Sequence, residues 1–183
     1  MLMGVAWPAA GRKVGAVFCA RMRPMQLFLI RHGEAVDADA TTPDGSRWLT
    51  ARGRAETAAA ATWLRTSPPA VFVTSPLVRA AQTAELLAHE LLPHDPVTVL
   101  GALATGDVSA IVRAVSEHRG PSPLALVGHE PTLSQVASTL LATTRWPGFE
   151  KSAVATFTLD AGTWSFVGMF LPRSGRTLGR LPR

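Results

Sequence analysis

Three short apolar runs in this 183-residue chain each break at a turn- or cap-forming residue. Each has an arginine or a histidine close to the break, and the second and third lead straight into a helical pattern. Leu27-Phe28-Leu29-Ile30 ends in Arg31-His32-Gly33-Glu34. Val71-Phe72-Val73 gives way to Thr74-Ser75-Pro76 and a stripe of Leu77, Ala81, Ala84 and Leu87, with Arg79 in the first turn. Leu124-Ala125-Leu126-Val127 runs into Gly128-His129-Glu130-Pro131, and a helix is expected over Thr132 to Leu141. Unbroken apolar runs of this length read as strands buried on both faces. Strands alternating with helices make an α/β fold, a mostly parallel sheet covered by helices on both sides. In such sheets ligands bind at the carboxyl ends of the strands, where all three breaks fall.

The residues at the breaks suit an anion. A guanidinium grips phosphate in a fork, and a neighbouring imidazole can take a phosphoryl group covalently. Gly33 permits a turn and a close backbone approach, and Ser75 with Pro76 forms a helix start. Histidine is also a common metal ligand, but two arginines beside the histidines repel a cation and attract an anion.

The remaining elements can be placed coarsely. A helix is expected from Thr50 to Arg65, capped by Thr50 and favoured by its alanines. The polar stretch Val36 to Trp48, with Thr41, Thr42, Pro43, Asp44 and Gly45, reads as a loop over the site. A brief strand is expected at Val97 to Leu100 and a helix at Val108 to His118. Ala153 to Leu159 and Thr163 to Phe170 alternate around Asp160-Ala161-Gly162 as a β-hairpin, an antiparallel edge on the sheet.

Four blocks now stand in order: Met25 through Ala35, Leu49-Thr50-Ala51-Arg52-Gly53, Ser75 through Thr83, and Val127-Gly128-His129-Glu130-Pro131. Together with Lys151 through Asp160 they resemble the histidine phosphatase superfamily, the phosphoglycerate mutase-like group, and most of all its small SixA-type phosphohistidine phosphatases. The resemblance covers Met25 to Phe170 and implies a three-layer α/β/α sandwich. It implies that His32 is the nucleophile, that Arg31 and Arg79 clamp the phosphoryl oxygens, and that His129 is a further donor, protonated in the company of the anion. Gly33, Glu34, Ser75 and Gly128 then belong to the substrate-binding surround. No metal or other cofactor is implied, because the cations supply the positive field. The general acid is open among Asp95, Asp107, Glu34 and Glu130. The small members lack the inserted acid of larger ones, which leans toward a phosphoramidate substrate, whose nitrogen solvent can protonate.

Charge divides unevenly. The net +5 includes four cations and no acid in residues 1–24 and four more in residues 171–183, so the stretch between carries −3. A nucleic-acid reading needs a clustered basic face, which this stretch lacks. No apolar run approaches the ~20 residues that cross a bilayer. Cys19 stands alone, so no disulfide framework exists, and the cytoplasm is the expected compartment. Residues 1–24 are expected to be a disordered leader or a mis-called start, 25–170 the domain, and 171–183 a basic mobile tail. Three functions follow: a phosphatase acting on a histidine-phosphorylated protein such as a phosphotransfer domain, a phosphatase of small phosphorylated metabolites, or an idle phosphate-binding module.

Overall fold

Leu27 and Leu29 point to one side of the central strand, Phe28 and Ile30 to the other, and the molecule is built around that alternation. The computed structural model describes residues 24–91, 96–118 and 122–181. Most of the expected leader, Cys19 and Asp95 lie outside the described residues. The central strand is β1 (Met25–Arg31). It is followed by a 3-10 turn (Asp44–Ser46), α1 (Ala51–Leu64), β2 (Val71–Thr74), α2 (Val78–Leu91) and β3 (Thr98–Val99). Next come α3 (Ala102–Thr105), α4 (Val108–Glu117), β4 (Leu124–Gly128), α5 (Thr132–Leu141), β5 (Val154–Asp160), β6 (Thr163–Leu171) and β7 (Arg176–Leu178).

The seven strands form one sheet in the order β3-β2-β4-β1-β5-β6-β7. β1, β2, β3 and β4 are parallel, as the buried apolar runs require. Leu27 and Leu29 join Leu103, Ile111, Leu126, Leu133 and Phe157 in a core under α3, α4 and α5. Phe28 and Ile30 join Ala60, Leu64, Phe72, Ala84 and Leu87 in a second core under α1 and α2. Small alanines on these two helices let them approach the sheet closely. Thr50 caps α1, its hydroxyl accepting from the Gly53 N–H at 3.0 Å, as its sequence position indicates.

Two expectations need correction. The hairpin is not an edge: β5 pairs antiparallel with β1 in the middle of the sheet, and β6 pairs with β5. The residues expected as a mobile tail from 171 onward instead supply the end of β6 and the edge strand β7, where Met169, Phe170 and Leu171 pair with Leu178, Thr177 and Arg176. Arg176-Thr177-Leu178 is too short and too polar a signal to read as a strand, and pairing with β6 decides it. The short helix α3 was also not expected. No helix among the described residues is long and apolar enough to cross a membrane.

Candidate active site

Parallel pairing of β1 with β4 sets Arg31 opposite Gly128, so the next residue on each strand, His32 and His129, emerge side by side. Their ring centroids are 4.9 Å apart. The backbone is pinned on both sides of His32: its N–H donates to the Gly128 carbonyl (3.0 Å) and its own carbonyl accepts from the Ser152 N–H (3.2 Å). Arg79 arrives from the other side, in the first turn of α2 just beyond β2, and is buried.

A hydrogen bond to a carbonyl fixes where the His32 ring proton sits. His32 Nδ1 lies 2.7 Å from the Gly33 carbonyl, which only accepts, so Nδ1 carries the proton and Nε2 is bare. That bare nitrogen faces the Arg79 Nε–H at 3.3 Å. His129 Nε2 lies 2.8 Å from Ser75 Oγ, a hydroxyl that can donate to it or accept from it while also accepting from the Leu77 N–H at 3.3 Å. His129 Nδ1 is buried with no partner among the described residues. His32 thus offers a lone pair, and His129 an unpartnered ring nitrogen.

Both rings are neutral in the free site. Burial, with Lys151 next and then His129 and Arg79 as further causes, pushes the His32 imidazole down to about 2. Burial and the Arg79, Lys151 and Arg31 charges push His129 down to about 4, with Asp44 pulling the other way. The expectation of a protonated His129 concerns the site with an anion bound; in the free site burial first, and then the neighbouring cations, keep the ring neutral.

Arg31 Nη1 donates to the Phe149 carbonyl at 2.5 Å, while its Nε is buried without a partner among the described residues. Arg79 is more fully engaged: Nη1 donates to the Asp44 carbonyl (2.6 Å) and Nη2 to the Asp44 carboxylate (3.1 Å). Arg47, then Arg79, hold the Asp44 carboxyl below its ordinary range. Two clefts open here. One, of about 400 Å³, is bordered by Arg79, His129, Asp44, Thr105 and Glu130. The other, of about 460 Å³, is bordered by Arg31, Lys151, Glu130 and Arg173.

The other expected residues sort by geometry. A Cβ on Gly33 would sit 2.9 Å from the Gly53 carbonyl oxygen and 3.1 Å from Leu49. The glycine thus makes room for α1 and not for a ligand. Gly128 supplies the carbonyl that holds His32, and a Cβ there would press on Leu103 and Leu133 at 3.2 Å. Glu34 turns aside to Thr50 (3.1 Å) and Arg173 (3.2 Å). Asp107 caps α4 by accepting from the Ala110 N–H at 2.9 Å. Glu130 stays at the site, one carboxylate oxygen accepting from Ser134 (2.6 Å) and the other buried with no partner among the described residues. Among the described residues no group of His, Cys, Asp or Glu is clustered to hold a metal ion.

Sequence reasoning missed Asp44 and Lys151 as site residues. Lys151 sits just before β5, and an antiparallel strand enters the sheet where its parallel neighbour leaves it. Burial, followed by Arg31, Arg47 and Arg79, brings its ammonium down to about 8. Knowing that β5 pairs with β1 would have found it.

Residues 27–108 match the model of the histidine phosphatase superfamily, branch 1. Phosphohistidine phosphatase SixA of Escherichia coli (strain K12) is 32% identical over 142 residues, spanning 74% of this chain and 86% of SixA. The chain belongs to the histidine phosphatase superfamily. An uncharacterized protein of Picosynechococcus is 37% identical over 121 residues, 63% of this chain and 73% of that one. The structure of protein histidine phosphatase SixA complexed with tungstate aligns at a TM-score of 0.68 and 27% identity, over 83% of this chain and 100% of that one. A mycobacterial glucosyl-3-phosphoglycerate phosphatase shares the fold, with a TM-score of 0.63 at 20% identity over 79% of this chain and 97% of that one. The α/β sandwich read from the strand breaks is thus the fold of this superfamily, and the chain is one of its phosphatases.

Proposed function

We propose that this phosphatase removes the phosphoryl group from phosphohistidine on a protein, through a phosphohistidine intermediate on its own His32. The observation that carries the mechanism is the bare His32 Nε2, locked in orientation by the Nδ1–Gly33 bond. Nε2 attacks phosphorus and the bond from phosphorus to the substrate nitrogen breaks, that nitrogen taking a proton from solvent. Water then attacks phosphorus, breaks its bond to Nε2 and leaves inorganic phosphate. Arg31 and Arg79 offset the charge on the non-bridging oxygens, and His129, carrying a proton on its otherwise unpartnered Nδ1, is the further donor. Ser75 acts by holding the His129 ring in place through Nε2.

Two observations support phosphohistidine as the substrate. The similar proteins include SixA of Escherichia coli, a phosphohistidine phosphatase. Three carboxylates are also otherwise employed: Asp107 in a cap, Glu34 in ion pairs and Asp44 on Arg79. A phosphoramidate tolerates their absence, whereas an alkyl ester needs a positioned acid. The unpartnered oxygen of Glu130 favours a second reading, a phosphatase of small phosphate esters with Glu130 as acid.

Phosphate release from a histidine-phosphorylated carrier domain tests the proposal, with EDTA present and His32→Ala and Glu130→Gln alongside. Release by wild type and Glu130→Gln but not by His32→Ala supports it. Release from phosphate esters alone, lost in Glu130→Gln, replaces it with the second reading.

A further inference from the structure

The fork of Arg79 is occupied by an anion that belongs to the chain itself. Nη1 and Nη2 hold the carbonyl and the carboxylate of Asp44 (2.6 and 3.1 Å), and the other carboxylate oxygen accepts from Arg47 Nη1 at 3.0 Å. The Arg79 side chain is 8% exposed while that of Asp44 is 59% exposed. The buried cation therefore meets its partner at the mouth of the cleft, where a phosphoryl group would enter.

The placement of Asp44 does not depend on Arg79 alone. The loop carrying it is stapled at its base by the Val36 N–H to the Trp48 carbonyl (3.0 Å) and by an Ala35–Leu49 bridge. Arg47 Nε donates to the Val36 carbonyl at 2.5 Å, and the Leu49 N–H donates to Gln82 Oε1 on α2 at 2.8 Å. Asp44 sits at the tip of this closed loop in the 3-10 turn. A tethered carboxylate so placed has a high effective concentration at the fork.

We propose that Asp44 is a built-in competitor for the phosphoryl group, setting the affinity of the site for oxyanions and displacing inorganic phosphate after hydrolysis. This rests on the reading of the site as a phosphoryl pocket. Substrate and product phosphate must both take the Arg79 N–H groups from Asp44, so both bind more weakly by the same factor. Arg47 keeps hold of the displaced carboxylate near its docking place, ready to return as phosphate leaves. Asparagine at this position keeps the size and the backbone carbonyl bond but removes the competing charge.

The test is the dissociation constant of inorganic phosphate by titration calorimetry at one pH and salt, with tungstate as a second probe. Wild type, Asp44→Asn, Asp44→Ala and Arg79→Ala are compared. Both Asp44 variants are expected to bind phosphate about three- to tenfold more tightly, the scale of a partly exposed charge pair. KM should fall by the same factor and kcat should not rise. Equal or weaker phosphate binding by both Asp44 variants, with wild-type binding that still depends on Arg79, overturns the competitor and leaves the pocket standing. Wild-type binding that Arg79→Ala leaves unchanged overturns both. A structural role for Asp44 would lower kcat without tightening phosphate.

Discussion

Acid should destabilise this fold through its two site histidines, in an amount the geometry sets. His32 and His129 are 4% and 9% exposed, and their imidazoles are held down at about 2 and about 4. In the unfolded chain both return to the ordinary value near 6.5. Below that value the unfolded state binds protons that the native state refuses, so stability falls as pH drops from about 6.5 toward the native values. Between pH 7 and pH 5 a fully buried ring loses about 2 kcal/mol. His129 borders a cleft, and discounting its share for solvent leaves about 3 kcal/mol for the pair. The perturbation is the His32→Asn, His129→Asn double variant, and the assay is urea unfolding of both proteins at pH 7 and pH 5. Wild type should lose about 3 kcal/mol more than the variant over that interval. Equal losses would refute the neutral, buried histidines, and with them the bare nucleophilic Nε2.

Other perturbations probe separate parts of the site. Arg79→Lys should lower kcat/KM by about 100-fold or more with the melting temperature retained, because an ammonium cannot reproduce the fork; wild-type kinetics would remove Arg79 from the clamp. The Lys151 ammonium, near 8, loses its charge as pH rises from about 7.5 to 9, so wild-type phosphate affinity should decline over that window. Lys151→Met should bind more weakly at pH 7 and show no such decline, and a wild type with constant affinity to pH 9.5 would exclude Lys151. Gly33→Ala places a methyl 2.9 Å from the Gly53 carbonyl and should cost about 1–3 kcal/mol in urea unfolding. A neutral result would return Gly33 to the role of a ligand-approach residue.

The parts of the molecule that were legible in the sequence are those written locally. A buried strand announces itself by an unbroken apolar run, and its carboxyl end is marked by the residue that stops the run. His32, Arg79 and His129 could be gathered into one place because parallel strands share an end. What stayed hidden depends on pairing between distant segments. Lys151 reaches the site only because β5 lies against β1, and β7 exists only because β6 offers an edge. Nor can a spacing say what a glycine makes room for: at Gly33 the close neighbour is α1. The charge of His129 in the free site depends on its burial first and then on cations contributed by three separate elements, none of which its local sequence shows. Asp44 lay in a loop rightly expected to cover the site, yet its hold on Arg79 follows from how that loop closes.

During turnover His32 should carry the phosphoryl group on Nε2. Rapid quenching of the enzyme with a histidine-phosphorylated protein, followed by alkaline digestion and mass and phosphorus NMR analysis of the peptide bearing His32, tests it directly. One acid-labile phosphoryl group per chain is expected, attached to Nε2 and absent in His32→Ala. Phosphorylation at Nδ1, on another residue, or not at all during active turnover would contradict it.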